Sequence, residues 1–113
     1  MDNTAPASIP TITVQELKAR LDRGEQLQLI DVREVHEHQI CNLPQARLIP
    51  LGELPGRLHE LDSSQEYVIH CKIGVRSAQA VDLMRKSGFP KVFNVAGGIT
   101  AWAREIEPSM PTY

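Results

Sequence analysis

The stretch that most constrains this chain runs from Tyr67 to Ser87, YVIHCKIGVRSAQAVDLMRKS. Tyr67, Val68 and Ile69 make a short apolar run, with two β-branched residues, that has the composition of a buried strand. It leads directly into Cys71. CKIGVR follows, and then Ala80, Val81 and Met84 recur at a spacing that puts them on one helical face. The pattern predicts a strand, a tight loop and a helix N-terminus, with the cysteine as first residue of the loop. A helix N-terminus carries N–H groups that have no carbonyl to bond, and the positive end of the macrodipole. Strand-to-helix loops of this kind hold phosphate elsewhere, and the same donors can hold an anionic sulfur. Gly74 allows backbone angles closed to other residues, and Lys72 and Arg76 add positive charge. The loop reads as a cradle for a thiolate. A small buried hydrophobe is the plainer reading of any isolated cysteine. The glycine, the flanking cations and the helix that follows set Cys71 apart from it.

Upstream and downstream, strands and helices alternate. Residues 1–10 read as a tail or the remnant of an interdomain linker, and residues 11–113 as a single domain. Thr13 and Glu16 have the form of a capping box, followed by the stripe Val14, Leu17, Leu21 and the stop Gly24. QLQLIDV (26–32) reads as a buried strand, Glu34 to Gln39 as a short polar helix, and Arg47 to Ile49 as a strand ended by Pro50. Leu54, Leu58 and Leu61 fall at i, i+4 and i+7 and predict one helix, with Pro55 in its first turn. After the central unit, closed by Gly88, Lys91 to Val95 is the last strand. Gly97-Gly98 then turns the chain into a helix bearing Ile99, Trp102, Ala103 and Ile106, which Pro108 stops. The strands show little polar alternation. That predicts an α/β fold, a mostly parallel sheet with helices on both faces. Ligands in such folds sit at the C-terminal ends of strands, where Cys71 falls.

A chain of 113 residues with 42% hydrophobic content can bury one core. A net charge of -2 gives no basis for a nucleic-acid or anionic-membrane partner. No apolar run reaches membrane-spanning length, and MDNTAPASIPTI lacks the basic and apolar regions of a signal peptide. A reducing, cytoplasmic setting is therefore expected, with Cys71 as a free thiol. Two cysteines make neither a disulfide framework nor a metal-ligand pattern. His36 and His38 cannot share a helical face, so no metal site is expected there. His59 reads as a solvated helix position and Trp102 as core packing. Strand alternation points His70 away from Cys71. The Gly97-Gly98 pair is too short for a phosphate loop.

Cys71 and Arg76 bound a loop of six residues, C-x4-R. Cysteine-dependent phosphatases use C-x5-R, whose extra residue widens the cradle for a tetrahedral phosphate. Four stretches in order, LIDVREVHEH (29–38), ICNLPQARLIPL (40–51), HCKIGVRSAQA (70–80) and VFNVAGGITAW (92–102), carry a wider likeness. On these, the chain resembles a single-domain rhodanese, or sulfurtransferase, from Ile12 to Ile106. More narrowly, ICNLPQA, CKIGVRS and the ending EIEPSMPTY are similar to the C-terminal rhodanese domain of E1-like adenylyltransferase/sulfurtransferases, which activate ubiquitin-like sulfur-carrier proteins.

The resemblance implies the rhodanese fold, with a five-stranded sheet, and a persulfide relay without a cofactor. Cys71 would take sulfane sulfur from thiosulfate or a desulfurase persulfide and pass it to a nucleophilic acceptor. In the narrower family that acceptor is a ubiquitin-like sulfur-carrier protein. A preceding adenylyltransferase domain would use ATP and zinc, and its motifs are absent from this stretch. The N–H groups of Lys72, Ile73, Gly74, Val75, Arg76 and Ser77 would stabilise the sulfur, and Lys72 and Arg76 would attract an anionic donor. Asp31, Arg33 and Glu37 match DVR-x3-E and would support the loop. Two departures stand out. Cys41-Asn42-Leu43 replaces a frequent Gly-His-Ile, so no histidine role carries over; Cys41 reads as a half-buried connector cysteine or as a second thiol that resolves the persulfide. Lys72 replaces a frequent arginine, keeping the charge and losing the bidentate fork. The rival readings are a non-catalytic rhodanese module used for binding or regulation, and a cysteine-dependent phosphatase or arsenate reductase.

Overall fold

The computed structural model of the chain describes residues 9–113. Residues 1–8, most of the stretch expected as a tail or linker remnant, lie outside the described residues. Its last two residues belong to the fold: Ile9 packs against one core, and the Pro10 carbonyl accepts the Asn94 N–H at 2.8 Å.

The elements are β1 (Thr11–Ile12), α1 (Val14–Asp22), β2 (Leu27–Asp31), α2 (Val35–Ile40), β3 (Arg47–Leu48), α3 (Leu54–Arg57), β4 (Glu66–His70), α4 (Val75–Lys86), β5 (Val92–Val95) and α5 (Gly98–Glu105). The five strands form one sheet in the order β1-β5-β4-β2-β3, and each pair runs parallel. Strand alternation divides the interior into two cores. On one face Leu29, Val68 and Val95 pack under Val14 and Leu17 of α1 and Ile99, Trp102 and Ala103 of α5. On the other, Ile30, Ile69 and Val92 pack under Leu54 of α3 and Ala80, Val81 and Met84 of α4. A strand covered on both faces has no solvated side, so its sequence shows no polar alternation.

Local chemistry starts the helices where expected. Thr13 Oγ1 accepts the Glu16 N–H at 3.0 Å, and Glu16 Oε1 accepts the Thr13 N–H at 2.8 Å, a reciprocal capping box for α1. Two expectations change. The single helix over 54–61 breaks into the four-residue α3 and a 3₁₀ turn, Leu58–Glu60. Gly56 costs about 1 kcal/mol in a helix interior, and the leucine spacing is met by a tighter turn as well. β1 is too short to show a period. It completes the sheet by pairing Thr11 with Asn94 and Ile12 with Val95.

β4 is central, and its last residue, His70, pairs with Asp31 of β2. Its side chain is buried, and both ring nitrogens lack a hydrogen-bond partner among the described residues. Burial lowers its pKa from 6.5 to about 4, against the pull of the Asp31 carboxylate; Arg33 and His38 add to the lowering. Above pH 6.5 the imidazole is neutral in the folded and unfolded chains alike. Between pH 6.5 and about 4 only the unfolded chain takes the proton, so stability falls as the pH drops through that window. From pH 7 to pH 5 the loss is about 2 kcal/mol. Urea denaturation at the two pH values should show this loss in the wild type and a much smaller one in His70→Leu. Equal losses in both proteins would assign the pH dependence to other groups.

Candidate active site

Cys71 follows the last residue of β4, at the C-terminal edge of the sheet, and is 1% exposed. The chain turns at Gly74, whose φ of +109° lies in the left-handed region, and α4 begins at the next residue. This turn aims backbone donors at the sulfur. Gly74 N–H lies 3.1 Å from Cys71 Sγ and Ser77 N–H 3.4 Å from it. As first-turn residues, Val75 and Arg76 have N–H groups with no helical carbonyl to bond, so the cradle has donors beyond the two that reach Sγ.

Ser77 Oγ lies 3.2 Å from Sγ and donates to Asn94 Oδ1 at 2.5 Å. The Asn94 amide is fixed by its other end, since Nδ2 donates to the Gly74 carbonyl at 3.3 Å. A hydroxyl has one proton. With that proton on Asn94, Ser77 presents a lone pair to a protonated thiol. Rotation about Cβ–Oγ turns the proton to an anionic sulfur. Asn94 thus governs both Gly74 and Ser77, and sequence reading missed it. Its signal was a polar residue inside the otherwise apolar run VFNV.

The loop is tied down by α5. Ile99 N–H donates to the Cys71 carbonyl at 2.9 Å, and Thr100 N–H to the Lys72 carbonyl at 3.0 Å. These bonds hold the two carbonyls away from the sulfur. So close an approach requires Gly98, where a Cβ would stand 2.6 Å from the Cys71 oxygen and 2.5 Å from the Lys72 oxygen. The glycine pair is the footing of the cysteine loop.

The predicted supporting residues form a buried polar cluster beside it. Arg33 and Asp31 are both 0% exposed, joined by Nη2 to Oδ2 at 2.7 Å and Nε to Oδ1 at 2.9 Å. Burial alone would raise the Asp31 pKa, and the Arg33 hydrogen bonds hold it below the ordinary value instead. Arg33 also donates to the carbonyls of Glu37 at 3.2 Å and Cys41 at 2.7 Å, which fixes α2. Glu37 in turn accepts both arms of Arg76, at 2.7 and 2.9 Å. Hydrogen bonding by Arg76 holds the Glu37 carboxyl well below the usual carboxylate range, and Glu37 raises the Arg76 guanidinium in return.

This pairing changes the expectation for Arg76: its charge is spent on Glu37 and braces the loop against α2. Tyr113, absent from the sequence-based site, joins the cluster. Its hydroxyl donates to Glu37 Oε2 at 2.8 Å and accepts from Arg33 Nη1 at 3.0 Å, and its ring lies 4.5 Å beneath Lys72 Nζ. Ile73 and Val75 project outward, exposed, at the rim of the loop.

Cys41 is buried, not half-buried. It packs in the α1–α5 core, whereas Cys71 packs in the core beneath α4, and both are free thiols. The sheet stands between the two cores, which gives no support to Cys41 as a resolving thiol. His38 Nδ1 lies 3.2 Å from Asp31 Oδ2. Among the described residues, no group of three or more His, Cys, Asp or Glu side chains could hold a metal ion. Nor is any helix long and apolar enough to cross a membrane.

A parallel sheet with a cysteine loop at the C-terminal end of its central strand, closed by a helix N-terminus, defines an α/β domain built around one buried thiol. Residues 13–105 match the rhodanese-like domain family. The chain belongs to that family. It is 40% identical over 101 residues to YrkF of Bacillus subtilis (strain 168), named as a sulfur carrier protein, covering 89% of this chain and 55% of YrkF. It is 40% identical over 114 residues to MoeZ of Mycobacterium tuberculosis (strain ATCC 25618 / H37Rv), named a probable adenylyltransferase/sulfurtransferase, covering 99% of this chain and 29% of MoeZ. The chain thus spans about half of the one relative and under a third of the other. The human single-domain sulfurtransferase TSTD1 superposes with a TM-score of 0.75 at 28% identity, covering 87% of this chain and 98% of that one.

Gly98→Ala should force the loop away from α5. Left-handed strain together with backbone overlap should lower stability by about 3 kcal/mol or more in urea denaturation. It should also weaken hydrogen-exchange protection at the Ile99 and Thr100 amides. Stability and protection like the wild type would mean that the loop does not depend on this contact.

Proposed function

We propose that the chain carries sulfane sulfur as a persulfide on Cys71. The observation that supports this best is a buried sulfur aimed at by the Gly74 and Ser77 N–H groups, with further first-turn donors alongside. The Cys71 thiolate attacks the outer sulfur of thiosulfate; the S–S bond of thiosulfate breaks, and sulfite leaves with the electron pair. From a desulfurase persulfide, the leaving group is the desulfurase thiolate. The outer sulfur then rests among the loop N–H groups, which stabilise its charge without a cofactor. A nucleophilic acceptor such as cyanide or a thiol attacks that sulfur and returns Cys71 as thiolate, whereas an electrophilic acceptor is attacked by it.

The adenylyltransferase/sulfurtransferase name of MoeZ favours a ubiquitin-like sulfur carrier as the physiological acceptor. There the persulfide sulfur attacks the carbonyl of the carrier's C-terminal acyl adenylate and displaces AMP. A thiol then attacks Cys71 Sγ of the acyl disulfide and releases the thiocarboxylate, and a second thiol reduces the disulfide left on Cys71 and returns its thiolate. In this reading residues 11–113 act as one domain in a reducing cytoplasm, beside an adenylyltransferase unit that belongs to the same chain or to a partner. The phosphatase reading is weaker because Arg76, the cation that would face a phosphate, is committed to Glu37.

Intact-protein mass after incubation with thiosulfate decides the matter. The wild type should gain one sulfur atom, cyanide should remove it as thiocyanate, and Cys71→Ser should gain none. A gain that survives in Cys71→Ser would move the carrier to Cys41. No gain from thiosulfate, and none from a desulfurase supplied with cysteine, would leave the non-catalytic binding module in front.

A further inference from the structure

The loop carries two cations, and the fold treats them in opposite ways. Arg76 is paired through both arms to a carboxylate, so its field at a distance is largely cancelled. Lys72 is in no ion pair among the described residues; its ammonium lies over the ring of Tyr113 at 4.5 Å. An aromatic ring attracts a cation through its quadrupole and carries no net charge, so it fixes the ammonium without neutralising it. The ring is itself fixed. Its hydroxyl is held between Glu37 and Arg33, and Arg33 is fully buried. Tyr113 also lines a small cavity with Cys41, Ile99, Thr100 and Ala103.

Building on the proposed sulfur transfer, we infer that Tyr113 is a positioning residue that holds Lys72 as the anion-recruiting charge of the Cys71 loop. The side chain of Lys72 is long and loses much rotamer freedom when held in one place. A ring that holds it beforehand removes that cost from donor binding. The substrate feature recognised is the anionic sulfonate group attached to the transferable sulfur of a small dianion, as in thiosulfate. The working part of Tyr113 is the ring face, and the hydroxyl aligns it.

The test compares Tyr113→Leu, Tyr113→Phe, Lys72→Gln and Lys72→Gln/Tyr113→Leu for sulfur loading across thiosulfate concentrations. Tyr113→Leu should raise the half-saturating concentration about fivefold, with the effect on that concentration and not on the saturating rate. Tyr113→Phe, which keeps the ring, should bring it back to within about twofold of the wild type. The double variant should be no weaker than Lys72→Gln alone. A Phe variant as weak as the Leu variant, or single effects that multiply in the double variant, would overturn the inference.

A spectroscopic arm works without sulfur transfer. Ring currents should shift the Lys72 Hε resonances in the wild type and Tyr113→Phe and not in Tyr113→Leu. Sulfate, which cannot donate sulfur, should perturb those resonances at lower concentration in the wild type than in Tyr113→Leu. If the wild type takes no sulfur from thiosulfate, the proposed donor fails, and the sulfate midpoints still decide the role of Tyr113. Equal midpoints would end it.

Discussion

The site depends on where two carbonyl groups point. At the end of β4 the backbone leaves the sheet, and the Cys71 and Lys72 carbonyls need partners that the sheet no longer supplies. The first turn of α5 supplies them through Ile99 and Thr100. With the oxygens turned to α5, the loop is free to present N–H groups to Sγ from Gly74 and Ser77. One set of bonds therefore separates acceptors from donors and makes the loop interior electropositive. Gly98 makes that separation possible because any Cβ there would overlap both carbonyls.

The second requirement is that α2 and the loop keep their places relative to each other. Arg33 does this from a fully buried position, joining Asp31 at the end of β2 to the carbonyls of Glu37 and Cys41. Breaking a buried pair by removing one partner leaves an uncompensated charge and costs about 3–5 kcal/mol. The cluster is thus rigid, and Glu37 transmits that rigidity to the loop by gripping Arg76. A cation carried by the loop need not serve an anion, and Arg76 is such a case. Here it serves the scaffold.

The sequence pattern revealed α1, β2, β4, α4, β5 and α5 because each has a continuous apolar run, a helical stripe or a capping signal that acts locally. It located Cys71 and its loop for the same reason, since a strand, a glycine and a helix start lie within a few residues. What it missed was set by contacts distant in sequence. β1 exists only through β5. Asn94 matters because the loop folds back over β5, and Tyr113 because the segment after α5 returns to α2. The glycine pair was read as the turn from β5 into α5, which it is; the contact of Gly98 with the Cys71 and Lys72 carbonyls was not legible. Leu54, Leu58 and Leu61 fit a helical period, yet a short α-turn and a 3₁₀ turn satisfy the same spacing.

Electrostatics also separates sulfur transfer from phosphoryl chemistry on a loop of this kind. A phosphoryl group keeps its charge on several oxygens throughout the reaction and needs a cation that can follow it. In sulfur transfer the charge on the protein moves by one bond, from Sγ in the thiolate to the outer sulfur in the persulfide. Fixed N–H dipoles around a narrow loop meet that demand without mobile charge, since preorganised donors need no rearrangement as the reaction proceeds. A free guanidinium in the cradle would hold the departing sulfite as well as the arriving thiosulfate, which slows release. Committing Arg76 to Glu37 removes that grip. In the proposed relay the field that draws an anion in comes from Lys72, set on the uncharged ring of Tyr113.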